Sequence, residues 1–133
     1  AGKGGTNWAA VEAARRTPNT AELYEPFLDM GIDLPDAIHG ARQVSDQLFI
    51  IASGGIRDGM DASRCLWLGA DIAGIAGRAL RALEDENGTF HEGRLDDYLS
   101  DFIQQIKLSL FLTGNQSIAN FKKMARICQE NSD

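Results

Sequence analysis

Two apolar segments, each running directly into a glycine turn, set narrow limits on the fold. The first is Leu48-Phe49-Ile50-Ile51-Ala52-Ser53, followed by Gly54-Gly55-Ile56-Arg57-Asp58-Gly59. The second is Asp71-Ile72-Ala73-Gly74-Ile75, followed by Ala76-Gly77-Arg78. Continuous apolar runs of this length are expected of parallel strands covered on both faces, here residues 47–52 and 71–75. Between them Asp58 or Asp61 can cap a helix whose Ala62, Cys65, Leu66 and Leu68 face inward and which Gly69 ends. Strand–helix–strand–helix order predicts an α/β fold with a parallel sheet and right-handed crossovers. Glycines at strand ends let backbone N–H groups approach phosphate oxygens, and a helix start adds favourable partial charge. Two such turns in succession match the phosphate cup that a (β/α)₈ barrel builds from its last two strands.

The rest of the chain supplies helices. Thr6 or Asn7 can cap one that runs through Arg16, and Thr17-Pro18-Asn19-Thr20 breaks it. Residues 21–31 read as a short helix or irregular insertion. Leu34-Pro35-Asp36 starts another helix, with Ile38, Ala41 and Val44 as its buried stripe. A short helix from Gly77-Arg78 fades at Asn87-Gly88. The longest covers residues 95–113, where Leu95, Tyr98, Leu99, Phe102, Ile103, Ile106 and Leu110 mark one face. Gly114 ends it, and Ser117 can cap a final helix. Two strands with open edges cannot bury themselves, and a full barrel takes about 250 residues. The chain also opens on a glycine loop, Gly2-Lys3-Gly4-Gly5, with no strand before it. The expected fold is therefore the C-terminal part of a (β/α)₈ barrel truncated on its N-terminal side.

Composition removes several function classes. A net charge of −6 argues against a broad nucleic-acid-binding face. No run approaches the eighteen or so apolar residues that span a bilayer, and no secretory signal is visible, so a cytoplasmic protein is expected. Cys65 and Cys128 have no metal-ligand spacing, and His39 and His91 lie far apart, so neither a zinc site nor a Ser-His-Asp triad has support. Asp96-Asp97 and Glu84-Asp85-Glu86 read as solvated helix faces.

The candidate chemistry lies in the glycine turns. Gly54-Gly55-Ile56-Arg57 and Ala76-Gly77 can cradle a phosphate, although a glycine pair also makes a tight strand-to-helix turn without any ligand. Arg57 can add charge-assisted bonds or pair with Asp58 or Asp61, and its backbone N–H is the preferred donor. Gly2-Lys3-Gly4-Gly5-Thr6 is a further anion-friendly loop, but its lysine precedes the glycine pair, so the Walker pattern fails. Trp8 and Glu12 are four apart and share one helical face, as a core aromatic with a solvated carboxylate or as part of a site.

Gly4-Gly5-Thr6-Asn7-Trp8-Ala9-Ala10-Val11-Glu12, Ala52-Ser53-Gly54-Gly55-Ile56-Arg57-Asp58-Gly59-Met60-Asp61 and Leu68-Gly69-Ala70-Asp71-Ile72-Ala73-Gly74-Ile75-Ala76 closely resemble the type 2 isopentenyl-diphosphate isomerases, as does Leu110-Phe111-Leu112-Thr113-Gly114. The motifs run in family order along nearly the whole chain. One departure is Met30, where the family often has tryptophan. The resemblance implies an FMN-dependent barrel that interconverts isopentenyl and dimethylallyl diphosphates without net redox change. It also implies Mg²⁺ on the substrate diphosphate and NAD(P)H as flavin reductant. Residues 1–133 would be the C-terminal portion of one barrel domain, with no second domain. Carried over by motif, Thr6 touches FMN, and Gly55, Ile56, Arg57, Ala76 and Gly77 surround its phosphate. Trp8 and Glu12 would be the catalytic pair beside flavin and substrate, with Glu12 handling a proton. No metal ligand falls in this chain; the magnesium carboxylate would lie upstream. A homo-oligomer, tetrameric or larger, is implied for the full-length protein. The alternatives are an FMN-dependent 2-hydroxy-acid oxidase, disfavoured because no histidine occupies the Lys3–Thr6 loop, and a non-catalytic barrel fragment that binds a complementary half.

Overall fold

The computed structural model describes residues 3–16 and 22–130. The helix break expected at residues 17–20 lies outside them. The described elements are α1 (Trp8–Arg15), a 3-10 turn (Glu22–Tyr24), α2 (Glu25–Leu28), α3 (Leu34–Val44), β1 (Ile51–Ser53), α4 (Gly59–Trp67), β2 (Ile72–Gly74), α5 (Gly77–Leu83), α6 (Glu92–Leu112) and α7 (Ile118–Glu130).

β1 and β2 pair in parallel, Ile51 with Ile72, Ala52 with Ala73 and Ser53 with Gly74. Alternation along the strands sends Ala52 into a core with Ile38 of α3, Ala62 and Cys65 of α4, Ile56 and Ala70. Ile51 and Ile72 point to the other face and are 62% and 46% exposed. Helices therefore cover one face of the sheet, and an apolar face remains bare.

Both strands are shorter than their apolar runs. Pairing needs a neighbour, and the register begins only at Ile51. Just before it, Asp71 takes over the backbone of Ile50: its carboxylate accepts from Ile50 N–H at 2.9 Å, and its own N–H donates to the Ile50 carbonyl at 2.8 Å. The same carboxylate accepts from Arg42 (2.8 Å) and Lys122 (2.6 Å), joining α3, both strand entrances and α7. The Lys122 ammonium, the Ile50 N–H and the Arg42 guanidinium hold the Asp71 carboxyl down to about 2. Arg42 also donates to the carbonyls of Gly69 and Leu48.

The caps follow the sequence closely. Asn7 caps α1, Asp58 caps α4, Ser117 accepts from Asn120 N–H at the start of α7, and Gly69 closes the α4 turn at φ +112°. α5 stops at Leu83 instead of reaching Asn87. Asp85 accepts from the N–H groups of Asn87 and Thr89, a local turn that competes with helix, and Glu84 pairs with Phe90. Val44 is 80% exposed and drops out of the α3 stripe. On α6 the inward line is Tyr98, Phe102, Ile106 and the buried Ser109, whereas Ile103 is 52% exposed. α6 crosses α4 at Gly59, where an added Cβ would lie 2.3 Å from the Phe102 carbonyl oxygen. Trp67 and Phe121 join α4 to α7, with ring centroids 4.9 Å apart. Among the described residues no helix is long and apolar enough to cross a membrane.

Candidate functional site

Parallel strands deliver their connecting loops to one end, and ligands of α/β folds sit beyond the carboxyl ends of the strands. Ser53 and Gly74, the last residues of β1 and β2, line a cleft of about 780 Å³ at that end. Thr6, Trp8, Gly55, Ile56, Arg57, Ala76 and Gly77 line it as well. Three segments far apart in sequence thus meet around one space.

The glycines serve different purposes. Gly54 and Gly55 leave β1 at φ +103° and +83°, conformations that cost an L side chain about 1–2 kcal/mol. A Cβ on Gly55 would also lie 2.8 Å from Gly4 Cα and 2.9 Å from the Gly4 carbonyl oxygen. The loop before α1 and the loop after β1 pack backbone on backbone, so part of the glycine requirement here is structural. Gly77 has no left-handed φ, and the nearest atom to a Cβ built there is Arg81 Nη2 at 3.8 Å. The fold itself does not demand glycine at position 77. Ala76, at the start of α5, supplies no side-chain cap to its first turn.

Charge in the cleft runs against that of the chain. Arg57, Arg78 and Arg81 line it with no Asp or Glu among the lining residues, on a protein of net charge −6. Arg57 is already committed: its N–H donates to Asp61 Oδ2 at 3.2 Å and its Nε to the same oxygen at 3.0 Å. That hydrogen bond holds the Asp61 carboxyl below the ordinary range. The backbone N–H expected to serve a phosphate is therefore directed to Asp61. The Arg57 carbonyl accepts from the Tyr98 hydroxyl at 3.0 Å, and Gly59 N–H donates to Gln105 Oε1 at 2.7 Å. α6 thus braces the turn from behind. Ile56 is 6% exposed, so its side chain belongs to the core and its backbone to the cleft.

Trp8 is 68% exposed and lines both this cleft and an adjoining one of about 620 Å³, shared with Thr6, Phe27, Leu28 and Met30. Glu12 lines neither; its Oε1 accepts from Arg16 Nε at 3.1 Å and Nη2 at 3.0 Å. His39 contacts Gln43 and His91 contacts Asp85, both away from the cleft. Among the described residues no group of three or more His, Cys, Asp or Glu is placed to hold a metal ion. Ser53, Gly74, Arg78 and Arg81 are lining residues that sequence reasoning did not assign to the site; for Arg81 the one signal was its i, i+4 spacing from Gly77.

The chain matches the FMN-dependent dehydrogenase family over residues 32–127. It is 35% identical over 124 residues to the isopentenyl-diphosphate delta-isomerase of Rickettsia bellii, covering 92% of this chain and 35% of that protein. It is 36% identical over 130 residues to the enzyme of the same name from Stutzerimonas stutzeri, covering 97% of this chain and 36% of that protein. The chain spans about a third of the length of the curated relatives it matches.

Proposed function

Because the chain belongs to the FMN-dependent dehydrogenase family, we propose that its cleft holds the phosphate of FMN and serves an isomerase acting on isopentenyl and dimethylallyl diphosphates. The observation that carries this is the meeting of Thr6 and Trp8 with both glycine turns around one cationic cleft. The residues fit a phosphate: over Gly77 lies only the flexible end of Arg81, guanidinium donors line the walls, and no carboxylate on the lining repels it. When bound, FMN supplies proton transfer to and from the allylic carbons, with NAD(P)H as its reductant.

This chain's residues bind and orient. Gly54 and Gly55 keep side chains out of the cleft floor, and Gly77 lets an anion approach the start of α5. The exposed indole of Trp8 offers apolar surface to the ring system or to the hydrocarbon chain of the substrate. Glu12 would handle a proton by exchanging its Arg16 contact for substrate. The described residues do not fit a magnesium site, and no step here runs through Mg²⁺.

The bare face of the sheet, with Ile51 and Ile72 exposed, supports placing the chain in the C-terminal portion of a (β/α)₈ barrel, where that face lines the interior. A homo-oligomer of the whole protein belongs to the same proposal. The family match is compatible with a second reading, an FMN-dependent 2-hydroxy-acid oxidase. Neither histidine faces the cleft to act as the base that such an oxidation uses. Product analysis of the full chain with FMN, NADPH, Mg²⁺ and isopentenyl diphosphate separates the two. Dimethylallyl diphosphate is the expected product; flavin reduction by a 2-hydroxy acid without isomerisation would replace the first reading with the second.

A further inference from the structure

The structure assigns to Arg81 a role in selecting ligands by their phosphate: it favours a terminal phosphate monoester in the cleft over a neutral or diester ligand. The inference rests on the reading of the cleft as a phosphate site and names the group that decides what enters.

Residue 81 lies one turn beyond Gly77 on α5. Side chains of a helix lean toward its N-terminus, so a long side chain at this position reaches back over residue 77. The guanidinium does this, with Nη2 3.8 Å from the position a Gly77 Cβ would occupy. Gly77 leaves that path clear.

Two other arginines line the cleft. Arg78 makes no hydrogen bond or ion pair among the described residues, but it follows Gly77 directly, and adjacent helix positions do not share a face. Arg57 is less available. Arg57 gives its N–H and Nε to Asp61, which neutralises much of its charge locally. Arg16, Arg42, Arg57 and Arg64 each pair with a carboxylate. Arg81 has no hydrogen-bond or ion-pair partner among the described residues, although the chain carries 19 Asp and Glu against 13 Lys and Arg. An uncompensated planar donor that shares a cleft with both glycine turns suits an anion with several coplanar acceptors. A phosphate monoester presents three terminal oxygens and close to two negative charges at neutral pH. A diester presents two terminal oxygens and one charge, and riboflavin none. A guanidinium therefore discriminates in favour of the monoester.

The test measures dissociation constants of FMN, riboflavin and riboflavin 4′,5′-cyclic phosphate, a phosphodiester, for the full chain, as wild type, Arg81→Gln and Arg81→Lys, by flavin fluorescence. Arg81→Gln should lose about tenfold in FMN affinity and leave riboflavin unchanged, with the singly charged cyclic phosphodiester between them. Arg81→Lys, which keeps the charge without the fork, should recover part of the loss. If the wild type prefers FMN to riboflavin and Arg81→Gln keeps that ratio, the assignment to Arg81 falls while the phosphate cleft stands. Equal losses for FMN and riboflavin would make Arg81 a structural residue and also overturn the assignment. A wild type with no preference for FMN would overturn the cleft reading, and this inference with it.

Discussion

Gly77→Ala separates the phosphate site from the fold. The Cβ it adds meets nothing nearer than Arg81 Nη2 at 3.8 Å, an ordinary contact with a flexible side chain. Gly77 has no left-handed φ, and alanine is the better helix former by up to about 1 kcal/mol in a helix interior. Position 77 opens α5, so stability should hold or rise by roughly 0.5 kcal/mol. The new methyl occupies the space through which an anion approaches the backbone, so FMN affinity should fall at least about tenfold, or roughly 1.4 kcal/mol. Gly55→Ala is the control. It combines φ +83° with a Cβ 2.8 Å from Gly4 Cα, a contact that backbone must move to relieve. Left-handed strain of about 1–2 kcal/mol plus that displacement should lower stability by at least about 2 kcal/mol. Urea unfolding paired with FMN titration reads both quantities on each variant. Full FMN affinity in a stable Gly77→Ala protein would refute a phosphate seated at α5; unchanged stability in Gly55→Ala would refute the backbone packing of the two loops.

The Asp71 clamp predicts an acid-sensitive contribution. Its carboxyl is held at about 2, below an ordinary value of 3.8, so it stabilises the fold above pH about 4 and loses that contribution as pH falls toward 2. The contribution is about 2 kcal/mol; Asp71→Asn should remove at least that at pH 7 and flatten the stability profile between pH 4 and 2, whereas an unchanged slope would show that the clamp does not titrate. Trp8→Ala should change stability by no more than about 0.5 kcal/mol, because the side chain is 68% exposed, while isomerisation slows about tenfold or more. Glu12→Gln removes only an exposed pair, so stability should hold; a large drop in turnover would place Glu12 in proton handling, and a normal rate would return it to its pairing with Arg16.

What the sequence made legible was local. Asn7, Asp58, Gly69 and Ser117 cap or close elements within a few residues of themselves, and each behaves as its type predicts. Gly54 and Gly55 were legible because positive φ restricts the choice of residue. Non-local matters were not legible. Strand length depends on the partner strand, and the early end of β1 is taken by the side chain of Asp71, twenty-one residues from Ile50. Gly59 gave no sign in sequence that α6 would cross there, and Ser109 gave none that a hydroxyl would occupy the buried line. Arg57 drew attention because it follows the glycine pair, yet its neighbour Asp61 takes its backbone N–H and Nε. Arg81 stood outside every motif, and only the helical return over Gly77 brings it to the cleft.

These placements divide labour between the two ends of the sheet. At the amino ends, Arg42, Asp71 and Lys122 form a hydrogen-bonded network that ties α3 and α7 to both strand entrances and fixes the pairing of Ile51 with Ile72. At the carboxyl ends, the turns are held by glycine backbone contacts and by Tyr98 and Gln105 reaching from α6, which leaves the Arg78 and Arg81 side chains and the opening of α5 uncommitted. Register is therefore set away from the cleft, and the cleft can carry uncompensated positive charge without that charge being needed to hold the strands together. A guanidinium left unpaired at the amino ends would weaken the clamp; at the carboxyl ends the same vacancy is what the proposed phosphate would fill. The bare Ile51–Ile72 face lies between the two, and none of the described helices buries it, so the elements that hold the strands and the elements that form the cleft are both independent of that face.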